Sequence, residues 1–195
     1  MTRKAHDLAN TELASKFTVR DYESARDCHP PDRSAIADAI RRRFTERYIK
    51  PAWAKPRHGF TMMAVSCLMI EALESFRQGW ETSDHMSKSA FCFFFDASEP
   101  FKDFRGHAQT FYRHVRCGIL HQAETTGGWR ILRDKSPLFN PRVPTVNAEH
   151  FLNALEQVLN EFCDSLKAAA WNGSEWKKVR DKMNAIVRNC RRGSG

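Results

Sequence analysis

The sequence predicts an all-α domain, a bundle of five or six helices with a small β-like excursion near residues 129–146. Three observations carry this. Apolar residues recur at helical 3–4 spacing over several long stretches. Good helix-capping residues stand ahead of those stretches, and prolines and paired glycines fall between them. With 195 residues, 42% of them hydrophobic and fourteen of them phenylalanine, the chain can bury the core of one folded domain.

Residues 1–31 read as a polar, charge-mixed N-terminal extension closing on His29-Pro30-Pro31, which interrupts any helix. A helix is expected from an Asp32 or Ser34 N-cap through Ile36, Ile40, Phe44 and Tyr48, stopping at Pro51 with Pro56 beyond. Its run Arg41-Arg42-Arg43 is either a solvated face or part of an RNA-binding surface. Gly59 to Trp80 is the longest strongly apolar segment, a central helix with a wide buried surface. Glu71 interrupts that surface, so its carboxylate either reaches solvent or pairs with a cation such as Arg116.

Ser83-Asp84 offers a cap for a segment ending in Phe91-Cys92-Phe93-Phe94-Phe95. A lone strand there would lack a neighbour, so a helix buried nearly all round is expected. Phe104 to Ala123 forms the next helix, ended by Gly127-Gly128, and Trp129 to Arg133 alternates like a short strand. Pro137, Pro141 and Pro144 make an irregular crossing or small hairpin. Asn147 then caps an amphipathic helix through Leu166, and a final basic helix carries Trp176, Val179, Met183 and Val187. One domain therefore spans 32–192, and Gly193-Ser194-Gly195 reads as an added tail.

Thirty-one Lys+Arg against twenty-three Asp+Glu leave a formal charge of +8, which favours an anionic partner such as nucleic acid. The six cysteines form no C-x-x-C pair and mostly sit in apolar helical patterns, where a free thiol behaves as a small hydrophobe. Neither a secretory signal core nor an uninterrupted apolar run of about 18–20 residues is present. These features point to a cytoplasmic protein with reduced thiols and no membrane partner.

The chemistry gathers on Tyr112-Arg113-His114-Val115-Arg116-Cys117-Gly118-Ile119-Leu120-His121-Gln122. Arg116 can hold an anionic phosphate and His121 can move a proton near neutral pH. Spacing alone is weak: eight histidines and twenty arginines supply about 0.8 such pairs by chance. In an ideal helix, residues five apart diverge by about 140° and lie about 7.5 Å apart along the axis. Convergence therefore requires arginine's reach, a distortion near Gly118, or a second copy of the chain about a two-fold axis. Cys117 and Gly118 are small enough for another helix to approach closely. His114, Cys117 and His121 stand at i, i+3 and i+7, but no second His/Cys cluster completes a metal site, so no metal or cofactor is expected.

The segment Arg116 to Gln122 resembles the R-x4–6-H signature of the HEPN superfamily (higher eukaryotes and prokaryotes nucleotide-binding domains). Its setting between an apolar helix and an Asn-capped amphipathic helix is similar over roughly Gly59 to Leu166. Members are α-helical and often homodimeric, with the motif near the dimer interface. Many are metal-independent endoribonucleases of toxin–antitoxin, abortive-infection or other antiviral defence systems. The resemblance implies a HEPN-like bundle acting as a homodimer on RNA, with Arg116 and His121 catalytic and an antitoxin or defence protein as a further partner. Arg113 and His114 are candidate RNA contacts, and Glu71 and Cys117 are candidate supports of the motif. Active members often carry a polar residue where this chain has Cys117, and non-catalytic members exist. The same resemblance therefore accommodates a helical module that binds RNA, nucleotide or a partner protein without turnover.

Overall fold

Thr18 and Asp21, three residues apart ahead of an apolar pair, are the signature of a helix start, and a helix does begin there. The computed structural model describes residues 8–54 and 58–192; residues 1–7, 55–57, with Pro56 among them, and the tail 193–195 lie outside the described residues. A 3-10 turn at Leu8–Asn10 leads into an antiparallel hairpin, β1 (Glu12–Ala14) and β2 (Phe17–Thr18). Helix α1 (Val19–Asp27) follows. Its Asp21 amide donates to Thr18 Oγ1 at 3.3 Å, and Asp21 Oδ2 accepts from the Thr18 amide at 2.8 Å. Hydrogen bonds to Oδ2 from the Thr18 amide and the Thr18 hydroxyl hold the Asp21 carboxyl below the usual carboxylate range. Leu13, Phe17, Val19 and Tyr22 from this polar-looking segment are all buried in the main core.

Helix α2 (Arg33–Phe44) is capped by Asp32, whose Oδ1 accepts from the Ala35 amide at 2.9 Å. The expected stop at Pro51 does not occur. The helix loosens into a π-helical turn, Thr45–Ile49, and runs on as α3 (Lys50–Trp53) with Pro51 in its opening turn. A proline is tolerated there because its missing N–H falls in the first turn of a new register. The arginine run divides: Arg41 pairs with Asp164, Arg42 is exposed, and Arg43 donates to the Leu13 carbonyl at 2.6 Å.

Helix α4 (Gly59–Gln78) is the central rod, closed by Gly79 in the left-handed conformation. By length and composition it could cross a bilayer, but 61% of its most apolar window is buried inside this fold. It is the core helix of the bundle. Helix α5 (Ser87–Ala97) begins later than the Ser83-Asp84 cap predicts; Ser83 instead accepts the Met86 amide in the preceding turn. Phe91, Phe94 and Phe95 are buried while Phe93 is 45% exposed, so α5 is amphipathic and not buried all round.

Phe104 closes a 3-10 segment, Glu99–Phe104, and the motif helix starts only after a turn at Gly106. It comprises α6 (Ala108–Phe111), a π-helical turn (Tyr112–Arg116) and α7 (Cys117–Gln122). The β-like excursion is a three-stranded mixed sheet. β3 (Arg130–Leu132) runs parallel to β5 (Thr145–Asn147), with Ile131 opposite Val146, and β4 (Phe139–Asn140) pairs antiparallel on β5's other side. Asn147 accepts from the Glu149 and His150 amides to start α8 (Ala148–Ala168). Helix α9 (Ser174–Arg192) completes the chain.

α8 packs on α2 and α4, and α9 on α4. The remaining core is aromatic. Phe151 of α8 meets Phe101, Phe104 and Phe111 at ring-centroid distances of 4.8, 5.7 and 5.5 Å. Phe104 stacks on Phe139 at 4.3 Å and so ties the sheet to the helices. Phe151→Ala is expected to cost about 3–5 kcal/mol, whereas Phe93→Ala stays within about 0.5 kcal/mol. Denaturant midpoints of the two variants measure the contrast, and equal losses would contradict this core.

Candidate functional site

The motif residues stand on a helix that changes register in its middle. The Cys117 amide reaches back to the Tyr112 carbonyl, the bond that widens the turn Tyr112–Arg116. Phe111, Val115 and Gly118 keep the helix on the core, and Ala123 in the left-handed conformation ends it.

Arg116 is half-buried and held by α4. Its Nε donates to Glu71 Oε1 at 2.7 Å, with side chains only 15% and 10% exposed. Of the two alternatives the sequence leaves open for Glu71, the structure forms the ion pair. Ser87 Oγ of α5 donates to Glu71 Oε2 at 2.8 Å, so one carboxylate ties three elements together. The guanidinium lies over the Tyr112 ring, 5.5 Å from its centroid, one helical turn back. Burial works against the arginine's charge, but the Glu71 carboxylate more than offsets this and raises its pKa. Only Nε is used by that carboxylate. Both Nη nitrogens hold no hydrogen bond to an oxygen of the described residues, and neither is a buried, unpartnered atom. The Cys117 thiol also lies within hydrogen-bonding reach of the guanidinium.

Beside this pair lies a cleft of about 370 Å³ lined by Lys88, Gln109, Thr110, Tyr112, Arg113 and Cys117. Arg113, the neighbouring candidate, is exposed there with Lys88 across from it. His114 faces elsewhere. Its Nδ1 is 2.9 Å from Thr126 Oγ1, and the Thr126 amide donates to the His114 carbonyl at 3.0 Å. Gly127 packs on that imidazole so tightly that a Cβ would stand 2.6 Å from Nδ1. His114 thus anchors the loop after the motif.

His121 is exposed on the last turn of α7 and has no hydrogen bond or ion pair among the described residues. Within one chain, Arg116 and His121 share no hydrogen-bond partner. Gly118 is buried by the chain itself: an added methyl would overlap the Glu124 carbonyl oxygen and press on Thr125. The small-residue gap expected to admit a second helix is filled by this loop. Among the described residues, no three or more His, Cys, Asp or Glu side chains are grouped to hold a metal ion.

Three contributors escaped the sequence reading. Tyr112 carried a signal, since it stands four residues before Arg116, the spacing that stacks two helical side chains. Lys88 and Ser87 arrive from a separate helix, and nothing in their local sequence marks them. No protein-family profile, curated protein or solved structure matches this chain.

Glu71→Ala would strand the half-buried Arg116 charge and is expected to cost about 1–3 kcal/mol. The Glu71→Ala/Arg116→Ala double variant should be less destabilised than the sum of the singles. Strictly additive losses in urea unfolding would show that the two side chains are not coupled.

Proposed function

We propose that this chain is a metal-independent endoribonuclease of HEPN type, acting as a homodimer in a defence or toxin–antitoxin setting. The observation that carries the reading is Arg116: its Nε is fixed by Glu71, its Nη nitrogens are free of that carboxylate, and its neighbours Tyr112, Arg113 and Cys117 line a cleft with Lys88. An arginine held in this way is suited to a scissile phosphate, because it needs little reorganisation as charge builds in the transition state. His121, exposed and without a partner among the described residues, is free to take a proton from a ribose 2′-hydroxyl.

The 2′-oxygen then attacks phosphorus and the bond to the 5′-oxygen breaks. The leaving oxygen receives a proton from the second copy's histidine, giving a 2′,3′-cyclic phosphate and a 5′-hydroxyl. A second copy supplies what one helix does not, since side chains five apart diverge by about 140°. Leu120 beside His121, and Phe60 on α4, are large apolar side chains left exposed for such a partner to cover. DNA, lacking the 2′-hydroxyl, resists this chemistry.

A second reading, a non-catalytic module that binds RNA or a partner protein, draws on Cys117. Its thiol lies beside Tyr112 and Arg116, where active relatives of the motif often have a stronger hydrogen-bonding residue. The assay that separates the two uses single-stranded and structured RNA in EDTA. Arg116→Ala and His121→Ala are each expected to slow cleavage by about 100-fold or more, with unchanged circular dichroism and products ending in cyclic phosphate. Cleavage retained by both variants would overturn the assignment of these residues. Salt-dependent RNA binding without turnover by the folded wild-type dimer would favour the module.

A further inference from the structure

On another side of Glu71 lies a second cleft, of about 360 Å³, between the π-helical turn Thr45–Ile49, α4 and α9. Arg43, Arg47 and Lys182 line it together, and none of the three has an ion-pair partner among the described residues. Their polar contacts are backbone carbonyls. Arg43 Nη1 donates to Leu13 O at 2.6 Å, Arg47 Nη2 to the same oxygen at 3.4 Å, and Lys182 Nζ to Glu81 O at 3.0 Å.

Three like charges gathered in a concavity repel one another, and partial burial deepens the penalty. Burial, and then Arg47, pull the Arg43 guanidinium down to about 10. Burial, and then Arg43, lower the Lys182 ammonium. The one carboxylate-bearing residue in the wall, Glu71, is already engaged by Arg116 and Ser87. Apart from Ser75 and Ser83, the rest of the wall is apolar or aromatic, including Tyr48, Ile186 and Leu68, which is 44% exposed. A cationic cluster opposite an apolar wall, in a space of ligand-pocket size, has the form of a binding site for an amphipathic anion.

We propose that this cleft binds a small organic polyphosphate, with its phosphates on Arg43, Arg47 and Lys182 and a flat apolar group against Tyr48, Leu68 and Ile186. Two or more phosphates match three cations, where one would leave charge uncompensated. The site is independent of the Arg116–His121 reading, and either can fail without the other.

Calorimetric titration of the full chain in EDTA tests it, with ADP, inorganic pyrophosphate, adenosine and a short single-stranded RNA as probes. ADP is expected to bind saturably and more weakly as salt rises, pyrophosphate more weakly than ADP, and adenosine not detectably. The Arg47→Gln/Lys182→Gln variant keeps Arg43 and its hold on the N-terminal hairpin. It should weaken ADP binding by roughly tenfold or more while its melting temperature stays near that of the wild type. His121→Ala, which leaves Glu71 paired, should bind ADP as the wild type does. ADP binding that is absent, matched by adenosine, or undiminished in the double glutamine variant overturns the proposal. Binding of the RNA alone, without ADP or pyrophosphate, also overturns it, in favour of a track for a nucleic-acid backbone.

Discussion

A carboxylate in the middle of an apolar helix must be met by donors, and the two on α4 organise this bundle. Glu71 and Glu74 are 8% and 1% exposed. Leaving either charged and unpaired would cost several kcal/mol, a large share of a small domain's net stability. Glu71 is satisfied only where α5 presents Ser87 and the motif helix presents Arg116. Glu74 is satisfied by Arg77 at 3.1 Å and Gln78 at 3.2 Å, although burial still pushes its carboxyl up. Arg77 in turn lies over the Phe94 and Phe162 rings, which carries the constraint from α4 to α5 and α8. Apolar contacts alone would let these helices slide by a turn. The acid–donor pairs select one register.

Much of the fold was legible because its signals are local. Asp32, one of the two caps the sequence offers, and Asn147 cap the helices they precede. The stretches that misled are those where a long-range contact decides. Residues 12–22 look polar, yet Leu13, Phe17, Val19 and Tyr22 are few and spaced so that all of them reach the core. Pro51 reads as a stop, but a preceding π-helical turn resets the register and lets helical geometry pass through it. Gly118 reads as an opening for a partner, and only the folded chain shows Glu124 to Thr126 lying across it. Arg116 stood out as a residue type. Its engagement was one of two open alternatives, because Glu71 is 45 positions away in sequence.

The surplus charge of +8 is not spread evenly in its consequences. Several cations are neutralised where they stand, as with Arg41 and Asp164, Lys167 and Asp38, or Arg26 and Asp27. Five others, without such partners among the described residues, line two concave places, Lys88 with Arg113 and Arg43 with Arg47 and Lys182. Glu71 connects the two, lining one cleft while gripping the arginine that adjoins the other. Concave clustering of one sign focuses the field outward, which is how a protein attracts anions to chosen positions.

An arginine committed to a structural ion pair can still serve a phosphate, and the geometry of the guanidinium explains how. The group presents its donors along separate edges, so an acceptor on Nε leaves the Nη pair unspent. Glu71 uses Nε, and Tyr112 lies beneath the plane, so the remaining edge is held in one orientation. A mobile surface arginine would have to lose rotamer freedom on each encounter with substrate, whereas Arg116 has lost it on folding. The carboxylate that fixes it also reduces its net field, which weakens ground-state attraction to any phosphate at hand. In the nuclease proposed above, tight substrate binding would therefore come from Lys88, Arg113 and the second copy, leaving Arg116 to act where charge develops on the phosphoryl oxygens.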